Sequence, residues 1–478
     1  MLSHKDIISL LPFIITASGV IVLLLAIAVK RNHSLTQVIA YTTLTAAFAS
    51  LFWVVGITPH TVGDLYIFDD YSLFYMGIIF LASWIVILFS KSYLEQMPEK
   101  IEEYYILILL ATLGSVTLTA SHHFISFFLG IEVLSTSLYT LIAYLRDRES
   151  SFEAGIKYLI LAAASSAFLL FGMALVYADT GTMSFTRLAL MMQKLPISNL
   201  ALGGFGLIIV GIGFKLALVP FHLWTPDVYE GAPAPVTAFI ATVSKGGVFA
   251  LWLRFIMDVD AYRFPSFIYV IGIIAAASML AGNVLALLQQ NVKRILAYSS
   301  IAHLGYLLVA FLTATSIAVE ASTFYLVVYM ITTLGAFGIV TILSGKDRDA
   351  ATIDDYRGLF KRKPFLATLF AIMLLSLAGI PLTAGFISKF YVLMAGVEAS
   401  LWWLVIILIV SSTIGLFYYL RIVVAMFSSP VEDAEETKAP ALSVSNAVVF
   451  TLLAVIIIGL GIYPTVLIHV IRLFTGSL

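Results

Sequence analysis

The chain has 478 residues, of which 61% are hydrophobic and only 11% are charged. Charged residues make up about a quarter of a water-soluble domain. This composition therefore excludes a water-soluble domain and indicates a chain of membrane-spanning helices. The complete absence of cysteine excludes disulfides, iron-sulfur clusters and thiolate zinc sites in this chain. With 26 basic and 27 acidic residues, no basic excess indicates nucleic-acid binding.

Apolar windows, taken in chain order, predict fourteen membrane-spanning helices. They cover 8–29, 36–57, 71–93, 103–120, 123–145, 154–178, 201–219, 229–254, 266–287, 295–313, 321–344, 365–397, 400–427 and 446–471. The first is expected to be a helix of the mature protein, because its basic pair follows the apolar run instead of preceding it. The longest polar connections, 179–200, 345–364 and 428–445, are too short for a soluble catalytic domain. We therefore predict an all-α polytopic membrane protein.

The distribution of positive charge predicts how these helices are oriented. Loops after odd-numbered helices carry sixteen lysines and arginines, whereas the opposite side, termini included, carries six. Basic residues concentrate in cytoplasmic loops. Both termini are therefore expected on the non-cytoplasmic side.

The other four basic residues fall inside predicted spans, and all are lysines: Lys157, Lys215, Lys245 and Lys389. A charged side chain at mid-bilayer costs about 2.5 to 3.5 kcal/mol, and a desolvated lysine, unlike an arginine, can give up its proton. The alternative is snorkelling of the long side chain to the interface, which fits Lys157 best because it lies near the start of its helix. Glu132 is the one acidic residue well inside a predicted span. This sparse titratable set is typical of a proton path.

Two of these lysines lie in spans that contain helix-breaking residues. We predict breaks in helices 7 and 12 at Gly211, Gly213, Pro220, Pro381 and Gly385. Lys215 and Lys389 are 174 residues apart, and Glu132 and His303 are 171 apart. Breaks at corresponding places indicate an inverted repeat with an ion path at its interface. We therefore predict two inverted five-helix repeats, helices 4–8 and 9–13, and divide the chain into 1–100, 101–256, 257–428 and 429–478.

Three residues of these spans have a functional and a structural interpretation. Glu132 is expected to pair with Lys215 or Lys245, either as an ion pair that opens and closes or as a static salt bridge. His303 and Ser299 lie four residues apart on one helix face, either as a proton relay or as an ordinary hydrogen-bonded pair. No orienting acid for a hydrolase and no HExxH metal motif is present, so we predict no metal site.

The stretch 213–237, GFKLALVPFHLWTPDVYEGAPAPVT, is long and unusual. Together with NVKRILAYSSIAHLGY at 291–306, SLAGIP at 376–381 and GFISKFY at 385–391, it closely resembles the antiporter-like, proton-translocating membrane subunits of complex I. The resemblance covers essentially the whole chain. The sister subunits and the multisubunit sodium/proton antiporters usually read Ala-His at Val228-Tyr229, and sister subunit M typically has glutamate at the position of Lys389. The chain therefore resembles a branch of the family other than these.

The resemblance implies a fourteen-helix fold with one proton channel in a bacterial inner membrane. Quinone reduction elsewhere in a large assembly would drive it, with FMN, iron-sulfur clusters and quinone in partner subunits, among them sister subunit M and small membrane subunits. Protons would move from the cytoplasm past Lys157 to Lys215 and Lys245, then to Lys389, with release controlled by Glu132. Gly246-Gly247, where larger side chains are common, predicts a looser helix 8.

Two other functions stay open at this stage. A monovalent cation/proton antiporter subunit would work without redox coupling, although a single acidic residue within the spans disfavours a sodium cage of carboxylates. A purely structural membrane-arm spacer would hold its lysines in static pairs. Proton uptake that depends on Lys245 and ignores sodium would contradict both.

Overall fold

The computed structural model describes residues 3–97, 100–194, 198–313, 316–429 and 442–475. Most of the predicted connection 428–445 and the last residues of the chain lie outside these ranges. Almost all described elements are α-helices, which confirms the all-α class. One small antiparallel hairpin pairs β1 (His60–Val62) with β2 (Tyr66–Phe68), with Thr61 opposite Ile67.

The helices follow the predicted apolar windows along the chain. The first part contains α1 (His4–Ser9), α2 (Leu11–Val29), α3 (His33–Val55), α4 (Asp70–Leu94), α5 (Glu103–Thr119), α6 (Phe124–Ile142), α7 (Glu149–Thr180), α8 (Phe185–Lys194), α9 (Asn199–Leu216) and α10 (Trp224–Gly231). The middle part contains α11 (Ala234–Phe239), a π-helical turn (Ile240–Ser244), α12 (Lys245–Asp258), a 3-10 turn (Ala261–Arg263), α13 (Pro265–Leu287), α14 (Val292–Phe311) and α15 (Ser316–Leu343). The last part contains a 3-10 turn (Ile353–Tyr356), α16 (Leu359–Arg362), α17 (Pro364–Ala378), α18 (Ala384–Glu398), α19 (Trp402–Phe427), α20 (Val444–Ile462) and α21 (Thr465–Thr475).

Twelve helices of the described ranges are long and apolar enough to cross a membrane. Three further apolar helices, α5, α17 and α21, are shorter than a usual span. The predicted number of fourteen spans therefore stays a prediction, as do the division of the chain and the inverted repeat.

The centre of the bundle is formed by three helical segments. The segment that contains α11, the π-helical turn and α12 is completely buried, and α14 and α15 are nearly so. By contrast, α2 and α20 bury only about a third of their length and carry exposed apolar side chains. In a bilayer, exposed apolar faces are compatible with lipid or with neighbouring subunits. Functional side chains on α12, α14 and α15 are therefore shielded from both.

The two interruptions include the predicted prolines but not the predicted glycines. The first interruption runs from Ala217 to Leu223 and includes Pro220, so Gly211 and Gly213 lie inside the continuous helix α9. A side chain at Gly211 would come within 2.7 Å of Leu169, so this glycine allows α9 to pack closely on α7.

The second interruption lies between α17 and α18 and includes Pro381. Gly379 has a φ of 83° there, a left-handed conformation that glycine adopts at low cost. Gly385 lies inside α18, where a Cβ atom would be only 1.8 Å from the Ser376 carbonyl oxygen. The prediction that Gly385 is a break residue is therefore wrong, because its role is close packing.

Candidate functional site

Lys215 lies at the end of α9, immediately before the interruption. Its side chain is buried, and its Nζ atom donates a hydrogen bond of 2.6 Å to Ser135 Oγ on α6. The rings of Tyr158 and Phe214 lie 5.6 Å from the ammonium nitrogen. One hydroxyl and two aromatic faces therefore replace the water that a lysine would otherwise bind.

Glu132 lies one turn before Ser135 on the same face of α6. Its Oε1 atom is buried and accepts no hydrogen bond from any described residue. The ammonium group of Lys215 contacts Ser135 instead of this carboxylate. The predicted ion pair between Glu132 and Lys215 is therefore not formed in this structure, although Lys215 bonds a residue only one turn from Glu132.

Lys245 is the first residue of α12 and directly follows the π-helical turn. Only 1% of it is exposed, and its Nζ atom donates a hydrogen bond of 2.6 Å to Ser300 Oγ on α14. Ser300 in turn lies 2.6 Å from the Tyr329 hydroxyl on α15. Single π-helical turns occur frequently at functional sites, because the extra residue reorients the side chains that follow.

The sequence predicted that Gly246 and Gly247 loosen this helix, but the structure shows both in close contacts. A Cβ atom at Gly247 would approach the Ser115 carbonyl oxygen to 2.8 Å, and one at Gly246 would approach Met330 Sδ to 3.0 Å. Both glycines therefore allow α12 to pack tightly between α5 and α15.

Lys389 lies on α18, after the second interruption. Its Nζ atom donates hydrogen bonds of 2.9 Å to the Ala378 carbonyl at the end of α17 and to Ser412 Oγ on α19. The Tyr306 ring lies 5.3 Å from the same nitrogen. A lateral cavity of about 260 Å³ reaches this lysine between α17, α18 and α19. The Ala378 carbonyl at the helix end therefore accepts a hydrogen bond from Lys389.

His303 is buried and lies among tyrosine side chains. Its Nδ1 atom lies 2.7 Å from the Tyr325 hydroxyl, and its Nε2 atom lies 3.1 Å from the Tyr419 hydroxyl. Tyr419 donates to Ser299 Oγ at 2.6 Å, so Ser299 reaches His303 only through this tyrosine. The ring of Tyr306 packs against His303 at a centroid distance of 5.6 Å. Buried hydroxyls and imidazole therefore fill the space between Lys245 and Lys389.

Lys157 lies apart from the three buried lysines. Its side chain is 43% exposed and forms ion pairs with Glu153 at 2.6 Å and with Asp227 at 2.9 Å. Asp227 also pairs with Arg294 at 2.9 Å. Burial alone would raise the pKa of the Asp227 carboxyl, but hydrogen bonds from Lys157 and Arg294 hold that pKa below its usual value. Lys157 therefore belongs to an exposed, ion-paired group near the start of α7.

The comparisons with known proteins agree with this architecture. Residues 121–415 match the family described as NADH:quinone oxidoreductase/Mrp antiporter, TM. The chain is 45% identical over 476 residues to NADH-quinone oxidoreductase subunit N of Ectopseudomonas mendocina (strain ymp), covering 98% of this chain and 96% of that protein. The chain belongs to the subunit N family of NADH-quinone oxidoreductases. This confirms the antiporter-like complex I family that the sequence motifs indicated.

Solved structures extend the likeness of this subunit N chain to its fold. A chain of respiratory complex I from Thermus thermophilus superimposes with a TM-score of 0.83 at 31% identity, covering 96% of this chain and 98% of that one. A chain of an archaeal membrane-bound sulfane sulfur reductase gives 0.84 at 25% identity, covering 99% and 97%. The Mrp complex from Dietzia sp. gives 0.86 at 20% identity, covering 100% and 98%, a likeness of fold alone.

Two buried ion-pair clusters of this subunit N chain were missed by sequence reasoning. Arg254 on α12 pairs with Asp69 before α4, and the two side chains are 1% and 10% exposed. Lys293 on α14 is completely buried and pairs with Asp349 at 2.7 Å, while Arg148 reaches the same carboxylate at 3.0 Å.

These three basic residues fall at the end of a predicted span or in a loop, so they were among the loop charges that predict the orientation. The acidic partner of each is more than 50 residues away in sequence, so no local pattern indicates the pairing. Burial alone would raise the pKa of the Asp349 carboxyl, but Lys293 and Arg148 hold that pKa below its usual value. No group of three or more potential metal ligands occurs within the described ranges.

Proposed function

We propose that this subunit N chain conducts protons along the row Lys215, Lys245 and Lys389, coupled to quinone reduction in partner subunits. The observation that carries the proposal is that each lysine is buried in the bundle, donates to a hydroxyl and forms no ion pair with the described residues. A buried ammonium without a carboxylate partner is costly, and losing its proton relieves that cost. Three such groups in one protein favour proton exchange over a static scaffold.

The contact between α6 and α9 supports a switching role for Glu132. Its carboxylate has an unsatisfied buried oxygen one turn from the hydroxyl that holds Lys215. Moving the ammonium group from Ser135 to Glu132 would close an ion pair and stabilise the proton on Lys215, and moving it back would release the proton. A static salt bridge would instead hold the two groups together.

Protons leave Lys245 toward Lys389 through hydroxyl groups and His303. Ser300 and Tyr329 extend from Lys245, and Tyr306 lies beside both His303 and Lys389. Hydroxyl groups can both donate and accept hydrogen bonds, so such a network can pass a proton. In this proposal His303 is a relay, and Ser299 orients it through Tyr419.

The uptake end is the group around Lys157. Its exposed ion pairs with Glu153 and Asp227 supply carboxylates that collect protons at the membrane surface. In this proposal that end faces the cytoplasm, both termini lie on the other side, and the membrane is the bacterial inner membrane.

The redox chemistry belongs to partner subunits in this proposal. FMN, iron-sulfur clusters and quinone would reside there, and sister subunit M and small membrane subunits would cover part of the exposed apolar faces. Mild purification of a tagged chain tests this: an NADH-oxidising flavoprotein in a very large complex is expected. A chain that emerges with only small membrane partners and no flavin would contradict it.

Replacement of the central lysine tests the proton row. The Lys245→Ala complex in proteoliposomes is expected to pump fewer protons per electron from NADH, because the hydroxyl network loses its donor. Lys361→Ala, at an exposed lysine on α16, is the matched control and should pump normally. An assembled Lys245→Ala complex that pumps the normal number of protons per electron would contradict the proposal.

A second candidate is a monovalent cation/proton antiporter without redox coupling. The fold likeness to an Mrp complex supports it, but the row holds three lysines and a single acidic residue, which disfavours binding a cation. Proton uptake in vesicles driven by a sodium or potassium gradient, without NADH, would favour this candidate.

A further inference from the structure

The buried ion pair of Arg254 and Asp69 lies inside the bundle but outside the lysine row. The guanidinium donates from Nη1 to Asp69 Oδ2 at 2.9 Å and from Nη2 to Asp69 Oδ1 at 2.7 Å. Arg254 follows Lys245 by nine residues on α12. At 1.5 Å per residue, the pair lies about 14 Å along the same helix from Lys245.

Neither partner of this pair readily takes up a proton. A guanidinium has five donors and no acceptor, and it stays charged at every physiological pH. Both carboxylate oxygens of Asp69 accept from Arg254, and Oδ1 also accepts from the Ser72 amide at 2.9 Å. Burial alone would raise the pKa of Asp69, but the charge of Arg254 outweighs it and holds that pKa below its usual value. A proton that arrives from Lys245 is therefore not bound by this pair and cannot pass through it.

The space on the inner side of the pair is polar. The Tyr71 ring stacks under the guanidinium at 4.7 Å, and its hydroxyl donates to the Ala250 carbonyl at 2.7 Å. One turn further into the bundle, the Tyr75 hydroxyl lies 2.8 Å from Thr323 Oγ1. An apolar space would block protons by itself, but hydroxyl groups here would support proton transfer toward Arg254.

The outer side of the pair carries an acidic residue and a histidine that are partly exposed to solvent. Asp258 lies one turn beyond Arg254 on α12, and its Oδ2 atom is 3.1 Å from His122 Nδ1. These side chains are 20% and 16% exposed. Arg254 and Asp69 therefore separate Lys245 from groups that exchange protons with solvent. A merely structural brace explains the pair poorly, because apolar residues of similar size often stabilise a buried position equally well.

We propose that the Arg254–Asp69 ion pair is a proton barrier that closes the Asp258 end of α12. Protons at Lys245 cannot leave along their own helix and pass to Lys389 instead. The barrier rests on the proposed proton row, because it matters only if Lys245 carries protons. It makes transfer between the two lysines obligatory, and it prevents back-flow along α12.

Passive proton permeability of the whole complex tests the barrier. The double variant Arg254→Gln/Asp69→Asn keeps hydrogen bonding but removes both charges. In proteoliposomes without NADH, a potassium diffusion potential is expected to drive proton entry about tenfold faster than in the unmodified complex, which corresponds to about 1.4 kcal/mol of lost barrier. Arg263→Gln/Asp260→Asn removes an exposed ion pair just after α12 and is the matched control, with permeability like that of the unmodified complex.

Three further results decide the interpretation. An assembled double variant with unchanged permeability overturns the barrier, even if its thermal stability falls, because a brace would give that result. Adding Lys245→Ala to the double variant should remove the leak, whereas a leak that persists contradicts the lysine row and not the barrier. Should the double variant not assemble, Arg254→His provides the same test: its leak should increase as the pH is raised through about 6.5, where histidine loses its charge. Permeability of that variant that stays low at every pH would overturn the barrier.

Discussion

Lys215 lies before the interruption of its helix, at the end of α9, whereas Lys389 lies after the interruption of its helix, on α18. Among the described residues, Lys215 has one hydrogen-bond partner, the Ser135 hydroxyl. Lys389 has two, the Ser412 hydroxyl and the Ala378 carbonyl that the interruption leaves free. The two lysines are thus held by different means, although each lies next to an interruption.

The surroundings of Lys215 are more tightly packed than those of Lys389. Lys215 packs between aromatic rings, and Lys389 lines a lateral cavity of about 260 Å³ whose rim includes the exposed side chains of Phe386 and Phe390. Glu132 lies near the tightly enclosed Lys215, whereas no carboxylate of the described ranges forms an ion pair with Lys389. In the proposed proton path, Lys215 would therefore serve control and Lys389 would serve onward transfer.

The largest expected effect comes from closing the space at the second interruption. Gly385→Ala places a Cβ atom 1.8 Å from the Ser376 carbonyl, which is backbone and cannot move aside. We expect a destabilisation of about 3 kcal/mol and little assembled complex on a native gel. The control is Gly206→Ala on α9, where no atom lies within 4 Å. Normal assembly of Gly385→Ala would show that the second interruption is adaptable.

The next largest effect is expected from replacing each lysine with arginine, which is larger and permanently charged. The two replacements should differ in their effect on stability. Lys389→Arg is expected to assemble, since the cavity takes the added atoms, and to lose pumping because arginine keeps its proton. Lys215→Arg should also lose pumping and in addition destabilise the chain by about 1 to 3 kcal/mol through overpacking. Thermal unfolding of both complexes, with proton-to-electron ratios, measures this. Equal stability of the two variants would remove the distinction.

Loss of a hydroxyl partner should give a smaller difference. Ser135→Ala leaves the Lys215 ammonium without its polar partner, at a cost of about 1.5 to 3 kcal/mol, whereas Ser412→Ala leaves the Ala378 carbonyl in place and should cost about 1 kcal/mol. Thr413→Ala, next to the cavity but bonded to Ile409, is the control. Chemical denaturation compares the three, and a larger loss for Ser412→Ala would reverse the proposed order.

The smallest change tests access alone. The chain contains no cysteine, so Ser412→Cys and Ser135→Cys each introduce a single thiol. In the chain expressed without partner subunits, a membrane-permeant maleimide should label Ser412→Cys faster, because Ser412 lines the lateral cavity. Equal labelling rates would mean that Lys215 is as accessible as Lys389.

The sequence predicted the helices well, because long apolar windows and short polar connections have few other interpretations. The glycines at 211, 213 and 385 were misinterpreted as break residues, since close helix packing requires the same residue type as a break. The exact positions of the interruptions depend on backbone geometry that composition does not encode.

The site was predicted less completely than the fold. Burial of Lys215, Lys245 and Lys389 followed from their positions in the spans. Their partners did not, because Ser135, Ser300 and Ser412 are ordinary hydroxyl residues whose importance appears only when distant helices meet. Ser299 was singled out, but its neighbour Ser300 binds Lys245, since adjacent residues point about 100° apart around a helix.

The cluster around Asp349 has a consequence for how the chain is made. Lys293 and Arg148 need this carboxylate to be buried, yet residue 349 is synthesised after both of them. Chains generally fold from the N-terminus during synthesis. The two basic side chains must therefore wait in water or at the membrane surface until the segment after α15 emerges. Final closure of this end of the bundle is a late assembly step, timed by the position of one acidic residue.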